Sequence, residues 1–121
     1  MTTNAEDICE ASIELYGARA TILNDCNRGT QCIQVISKEI DKYGKPIVIY
    51  VYATNNGGAA MTDHREIIGE MPFGYFSETR EPEDVAQAVN ACAQHRASMG
   101  ASLKWLDDFA PSVGENVDLY A

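Results

Sequence analysis

The chain has 121 residues, of which 18 are acidic and 9 basic, so its formal net charge is -9. Hydrophobic residues make up 45% and charged residues 22%, which is ordinary for a globular protein and too apolar for a disordered acidic tail. The longest apolar run, residues 46–53, is far shorter than the about 20 residues that a membrane-spanning helix needs. The composition predicts one domain over residues 1–121 and excludes a transmembrane helix.

The N-terminus and the cysteines predict a cytoplasmic protein. Residues 1–7 contain no basic side chain, and no apolar segment follows them, so we expect no signal peptide. The cysteines are scattered at Cys9, Cys26, Cys32 and Cys92, without the spacing of a disulfide scaffold or a Cys-x-x-Cys zinc pair. We therefore expect reduced, mostly buried thiols, no bound metal and no cofactor.

The charge is spread unevenly along the chain. Both ends are acidic, no two of the nine basic residues are adjacent, and direct binding to nucleic acid is disfavoured because phosphate contacts need clustered Lys and Arg. The acidity has two interpretations. One is solubility, and the other is a decoy surface that occupies a basic groove on another protein.

The first element is predicted to be a helix. Thr3 or Asn4 can cap it, with acidic residues in its first turn, and Gly17 supplies the left-handed conformation that ends many helices. Apolar or small residues recur at spacings of three and four on one face. That face contains Ala5, Ile8, Cys9, Ser12, Leu15 and Tyr16.

Four β-prone segments follow the helix and are joined by residues typical of turns. They lie at residues 18–23, 31–40, 47–52 and 59–62. Short connections such as Asn-Asn-Gly-Gly at residues 55–58 favour an antiparallel meander over crossover connections. Residues 47–52 are apolar at every position, which predicts a central strand that is covered on both faces.

The second half of the chain is predicted to be helical. Asp63 and Glu66 have the spacing of an N-cap and its partner, so we expect a short helix over residues 63–69. A second helix is expected from Pro82 to residues 98–100, and residues 111–121 are expected to form a loose acidic tail. The predicted fold is α+β, a four-stranded, mainly antiparallel sheet with helices on one face in the order α-β-β-β-β-α-α.

Two groups of residues are candidates for chemistry. Tyr50, Tyr52, Asp63, His64 and Glu66 could line a pocket between the sheet and the helices, in which a carboxylate and an imidazole act as acid and base. Helix capping by Asp63 and Glu66 explains the same spacing without a substrate.

The second group is Cys92 and His95, which lie three residues apart on the second helix and could form a thiolate–imidazole pair. However, Cys92 lies on the predicted buried stripe of that helix, so ordinary helix spacing also explains the pair.

An aromatic loop is the remaining feature, with Met71, Phe73, Tyr75 and Phe76 within six residues. These side chains could cover the edge of the core or form a patch for a partner, and Tyr50 and Tyr52 could extend that patch. The chain contains neither a Gly-x-Ser-x-Gly nucleophile motif nor a phosphate-binding glycine loop.

We therefore predict a non-enzymatic, small acidic interaction protein that self-associates, as a homodimer, through the aromatic loop or a sheet face. Two alternatives stay open, a small-ligand-binding protein or enzyme with the pocket described above, and an acidic decoy.

Overall fold

The computed structural model describes residues 2–25, 30–53, 58–62, 76–77 and 80–99. The strands within these ranges are β1 (Thr2–Thr3), β2 (Arg19–Asp25), β3 (Thr30–Ile40), β4 (Pro46–Ala53), β5 (Ala59–Thr62) and β6 (Phe76–Ser77). The helices are α1 (Ala5–Tyr16) and α2 (Pro82–Met99). Neither helix combines the length and the apolar character needed to cross a lipid bilayer.

The predicted α+β fold is confirmed. Strands β2, β3, β4 and β5 form an antiparallel meander in chain order, and α1 and α2 pack on one face of it. A pairing that the sequence did not indicate joins β1 to β6 in a two-stranded sheet. The helix expected over residues 63–69 and the tail at 111–121 lie outside the described residues.

Helix α1 begins and ends at the residues that its sequence predicts. The Asn4 side chain accepts a hydrogen bond of 2.9 Å from the Glu6 backbone N–H, which satisfies one of the donors left open at a helix start. Gly17 has a φ of 64°, and its N–H donates to the Ile13 carbonyl at 3.0 Å. This left-handed residue stops the helix and turns the chain into β2.

The buried face of α1 differs from the prediction at two positions, because Ala11 is also buried and Leu15 is not. Ile8, Cys9 and Ser12 are buried as expected, but Leu15 is 54% exposed. Leu15 points in nearly the same direction as Ile8 but lies in the last turn of α1. The helical period gives the direction of a side chain but not how far the neighbouring elements extend along the helix.

The core lies between the sheet and the two helices. Large side chains from both layers meet there with almost no exposure to solvent, namely Ile8, Ile33, Ile49, Val51, Met61, Val85 and Val89. Burial of each such side chain stabilises the fold by roughly 1.5–3 kcal/mol. Helix α1 packs over β2 and β3, and α2 packs over β3, β4 and β5.

Helix α1 ends beside the part of β3 that leads into the β3–β4 turn. The Lys38 side chain lies over Gly17, which brings a positive charge to the carbonyl end of α1. In the turn, the Asp41 carboxylate accepts the backbone N–H groups of Tyr43 at 2.8 Å and Lys45 at 2.9 Å. Both hydrogen bonds hold the pKa of Asp41 below its usual value, and the bond from the Lys45 N–H has the larger effect.

Gly17→Ala is expected to lower the free energy of unfolding by about 1–2 kcal/mol, because a Cβ at positive φ is strained. The added Cβ would also fall 2.5 Å from Lys38 Cε, so the lysine would have to move. Urea denaturation measures the loss. Gly17→Asn is the control and should lose less, because asparagine adopts the left-handed conformation more readily. Equal losses for both variants would contradict the backbone explanation.

Two buried serines provide a matched pair for testing hydrogen bonding. Among the described residues, Ser12 Oγ has no hydrogen-bond partner, whereas Ser37 Oγ donates to the Ile47 carbonyl at 2.7 Å. Ser12→Ala should raise the free energy of unfolding by about 1 kcal/mol, and Ser37→Ala should lower it by about 1–2 kcal/mol. Denaturant melts of both variants measure this, and a destabilised Ser12→Ala would show that the hydroxyl has a partner.

Candidate functional site

The two faces of the sheet differ in what covers them. The register of the strands places Ile33, Val35, Ile49, Val51 and Met61 on the face that α1 and α2 cover. The opposite face, called here the outer face, carries the alternate residues of each strand because side chains alternate along a strand. These are Arg19, Thr21, Leu23, Cys32, Gln34, Ile36, Val48, Tyr50, Tyr52, Ala60 and Thr62.

Exposure on the outer face changes along the strands. At one end, Cys32, Tyr52 and Ala60 are buried, and Leu23 and Tyr50 pack against Cys32 and Tyr52. At the other end, towards the β3–β4 turn, Ile36 and Val48 are only half-buried. Of the outer-face residues in 47–52, Tyr52 is buried, whereas Val48 and Tyr50 are only half-buried. The expectation that this strand is covered on both faces is therefore confirmed only at Tyr52.

The open end of this face carries an apolar patch. Its residues are Ile36, Ile40, Val48 and Tyr50, called here the outer-face patch. Ile36 is paired with Val48, and Ile40 is paired with Pro46 after an irregularity in β3, so all four lie on the same side of the sheet. Ile40 is 58% exposed. Adjacent partly exposed apolar side chains on one sheet face are typical of an interaction surface.

Polar contacts fix the borders of the patch. Gln34 Nε2 donates a hydrogen bond of 3.2 Å to the Tyr50 hydroxyl across the β3–β4 pair. In the turn, the Lys42 ammonium lies 5.2 Å from the centre of the Tyr43 ring, a cation–π distance. The patch thus ends in an amide on one side and in a basic turn with an exposed aromatic ring on the other.

The structure places only part of the predicted pocket. Tyr50 and Tyr52 lie on the outer face, away from α1 and α2, whereas the layer between the sheet and these helices is filled by the core side chains. Asp63, His64 and Glu66 lie outside the described residues. The pocket therefore stays a prediction, and the described tyrosines would contribute to it only from the outer face.

Only one member of the predicted aromatic patch is described. Phe76 belongs to β6, is buried and packs in the main core. Met71, Phe73 and Tyr75 lie outside the described residues. Phe76 therefore takes the core-covering role, and the aromatic loop as an interaction surface stays a prediction for the other three residues.

Cys92 is placed as a core residue, not as a nucleophile. It is fully buried, and burial raises the pKa of its thiol to about 12. Its Sγ donates to Met61 Sδ at 3.7 Å. A thiol acts as a nucleophile only as thiolate, so Cys92 and His95 do not form a reactive pair. Among the described residues, no group of three or more His, Cys, Asp or Glu side chains could hold a metal ion.

The acidic side chains of α1 lie away from the outer face. Glu6, Asp7, Glu10 and Glu14 are exposed on the side of the helix opposite its buried stripe, as their spacing of three and four residues requires. The second helix also begins with exposed acidic residues, Glu83 and Asp84. The described acidic charge is thus carried mainly by the helical layer.

Cys92 is expected to resist alkylation by iodoacetamide at pH 8, at less than about one hundredth of its rate in the unfolded chain, because almost no thiolate forms. Mass spectrometry of the peptide containing Cys92, with and without urea, measures this rate. His95→Ala is the control and should leave the rate unchanged. Fast labelling that His95→Ala abolishes would restore the thiolate–imidazole hypothesis.

Comparison with protein-family models, with curated protein sequences and with solved structures gave no match to this chain.

Proposed function

We propose that this chain is a non-enzymatic interaction protein that self-associates through the outer face of its sheet. The observation that carries the proposal is the outer-face patch, in which apolar side chains are left partly exposed on one side of an otherwise well-packed sheet. Docking of a second copy would remove this apolar surface from water, at roughly 25 cal/mol for each Å² buried.

A cytoplasmic site of action is part of this proposal. It is supported by the three described cysteines, Cys9, Cys32 and Cys92, which are buried thiols. Such residues behave as small apolar side chains of the core.

The distribution of charge supports association through this face. The exposed acidic residues of α1 lie on the far side of the molecule from the outer-face patch, whereas the patch borders the lysines of the β3–β4 turn. Two copies that meet through their outer faces would therefore keep their acidic surfaces apart. Added salt should leave their affinity unchanged or raise it, because it screens the remaining repulsion between acidic chains.

Val48→Glu tests the proposal by placing a charge in the middle of the patch. We expect it to weaken association through this face at least about tenfold and to halve the native mass at micromolar concentration, since each copy would bury an unpaired carboxylate. Val48→Thr is the matched control, because it keeps the β-branched shape. Native mass spectrometry and sedimentation measure both variants, and circular dichroism checks that they fold.

An unchanged mass for Val48→Glu, in a variant that melts like the parent protein, would rule out the outer face as the interface.

A second candidate function is that of an acidic decoy, and the exposed acidic residues of α1 favour it. A decoy would bind a basic protein, and salt would weaken that binding steeply. The salt dependence therefore separates the two functions, because self-association through the outer face does not weaken with salt.

A further inference from the structure

As far as the structure describes the chain, the four-stranded sheet has two edge strands, and they differ in length and exposure. In the described part of the chain, β2 pairs only with β3, and β5 pairs only with β4. Strand β5 has four residues, all of them buried. Strand β2 has seven residues, Arg19 and Thr21 are exposed, and Ile22 and Leu23 are half-buried. Of the two edges, β2 is the long and accessible one.

In the described part of the chain, strand β2 has few of the usual defences of an edge strand. Exposed edges are normally protected by charged residues, lysine above all, by proline, by bulges, by short length or by a covering helix or loop, because unpaired backbone groups otherwise pair with another chain. The sequence Arg-Ala-Thr-Ile-Leu-Asn-Asp contains neither lysine nor proline, and its pairing with β3 is regular over all seven residues. Among the described residues no strand pairs with the other side of β2, so that side is suited to accept one.

The sequence of β2 is complementary to itself in the antiparallel direction. If two copies pair so that Ile22 lies opposite Ile22, all seven residues find partners. Thr21 then lies opposite Leu23 of the second copy, and Arg19 lies opposite Asp25 of the second copy. Opposite charges at facing positions stabilise an antiparallel pair, and the two-fold axis repeats this pair at both ends of the strand.

We propose that β2 is a second self-association surface, at which β2 of one copy pairs antiparallel with β2 of another around Ile22. This pairing joins the two four-stranded sheets into one. Residues directly opposite each other share a face of the sheet, so both copies place their helices on the same side. The site goes beyond the proposed function, because the edge and the outer face are different surfaces and can be occupied together.

The helix above this edge supports a second copy as the occupant. Helix α1 packs over β2 and β3, and α2 lies against one flank of it. Two large apolar residues of α1 are exposed, Ile13 by 47% and Leu15 by 54%. Ile13 lies about 40° beyond Cys9, at one margin of the buried stripe, whereas Leu15 points in nearly the same direction as Ile8 but lies near the end of the helix. Exposed apolar side chains on the helix that covers the edge strand offer apolar surface that a second copy could cover.

Charge reversal tests the register. Arg19→Glu places Glu opposite Asp25 of the second copy, and Asp25→Arg places Arg opposite Arg19 of the second copy. Each single reversal should weaken the pairing at least about tenfold, because two attractive contacts become repulsive. The double variant R19E/D25R restores opposite charges and should return the affinity to within about threefold of the parent. Failure to fold cannot imitate this rescue.

The measurement is the native mass at micromolar concentration in two backgrounds, the parent chain and Val48→Glu. With both surfaces occupied, the parent chain is expected to be a tetramer. In Val48→Glu only the edge can associate, so we expect a dimer of half that mass, a monomer when R19E is added, and a dimer again with R19E/D25R. Circular dichroism melts confirm that each variant is folded.

The outcomes separate the two proposals. If Val48→Glu is a monomer while the parent associates, the edge proposal is overturned and the outer-face interface stands. If Val48→Glu leaves the parent mass unchanged while R19E alone halves it and R19E/D25R restores it, the edge is the interface and the outer face is not. If Val48→Glu is a dimer whose mass the charge reversals do not change, the edge proposal is overturned. If the parent chain is a monomer, both proposals are overturned.

Discussion

The packing of α1 and α2 on a single face of the sheet is the constraint on which the rest of the structure depends. It sets which alternate residues of each strand become core and which are left on the outer face. A shift of one residue in the pairing of β4 would move Ile49 and Val51 out of the core and put Tyr50 in their place. The hydrophobic gain from that core therefore fixes the register of the whole meander.

The same constraint explains why β4 has apolar residues at every position. One set of them meets the helices, and the other set, Val48, Tyr50 and Tyr52, forms the middle of the outer face. Where a sheet face is open to water, its residues are normally polar, yet Val48 is apolar and only half-buried there. The apolar character of Val48 is therefore not required by the helices, and association through the outer face would account for it.

Local signals in the sequence were enough to predict most of the fold. Asn4 and Gly17 mark the ends of α1 because capping depends on residues next to each other in the chain. The turns and the strands of the meander follow from the same kind of short-range signal. The pairing of β1 with β6 joins Thr3 to Phe76, and no local pattern in two-residue strands can indicate a contact over that distance.

The candidate site was harder to predict than the fold. Because residues 47–52 are apolar throughout, their periodicity does not reveal which face the helices cover, and Tyr50 and Tyr52 were expected to face a pocket between sheet and helices. The burial of Cys92 was easier to predict, since a cysteine on the apolar stripe of α2 is ordinarily a core residue. Its burial could be predicted from spacing alone, whereas the orientation of the sheet required the tertiary structure.

The layered arrangement also reconciles the net charge of -9 with self-association. Like-charged chains repel, but screened repulsion falls off over about 8 Å at physiological ionic strength. The acidic side chains of α1 are exposed on the far side of the helical layer, and a helix is about 10 Å thick. Copies that meet through their outer faces therefore keep these charges more than one screening length from the interface. At the β2 edge the strand itself carries Arg19 and Asp25, one of each sign, so the paired strands add no net charge to that contact.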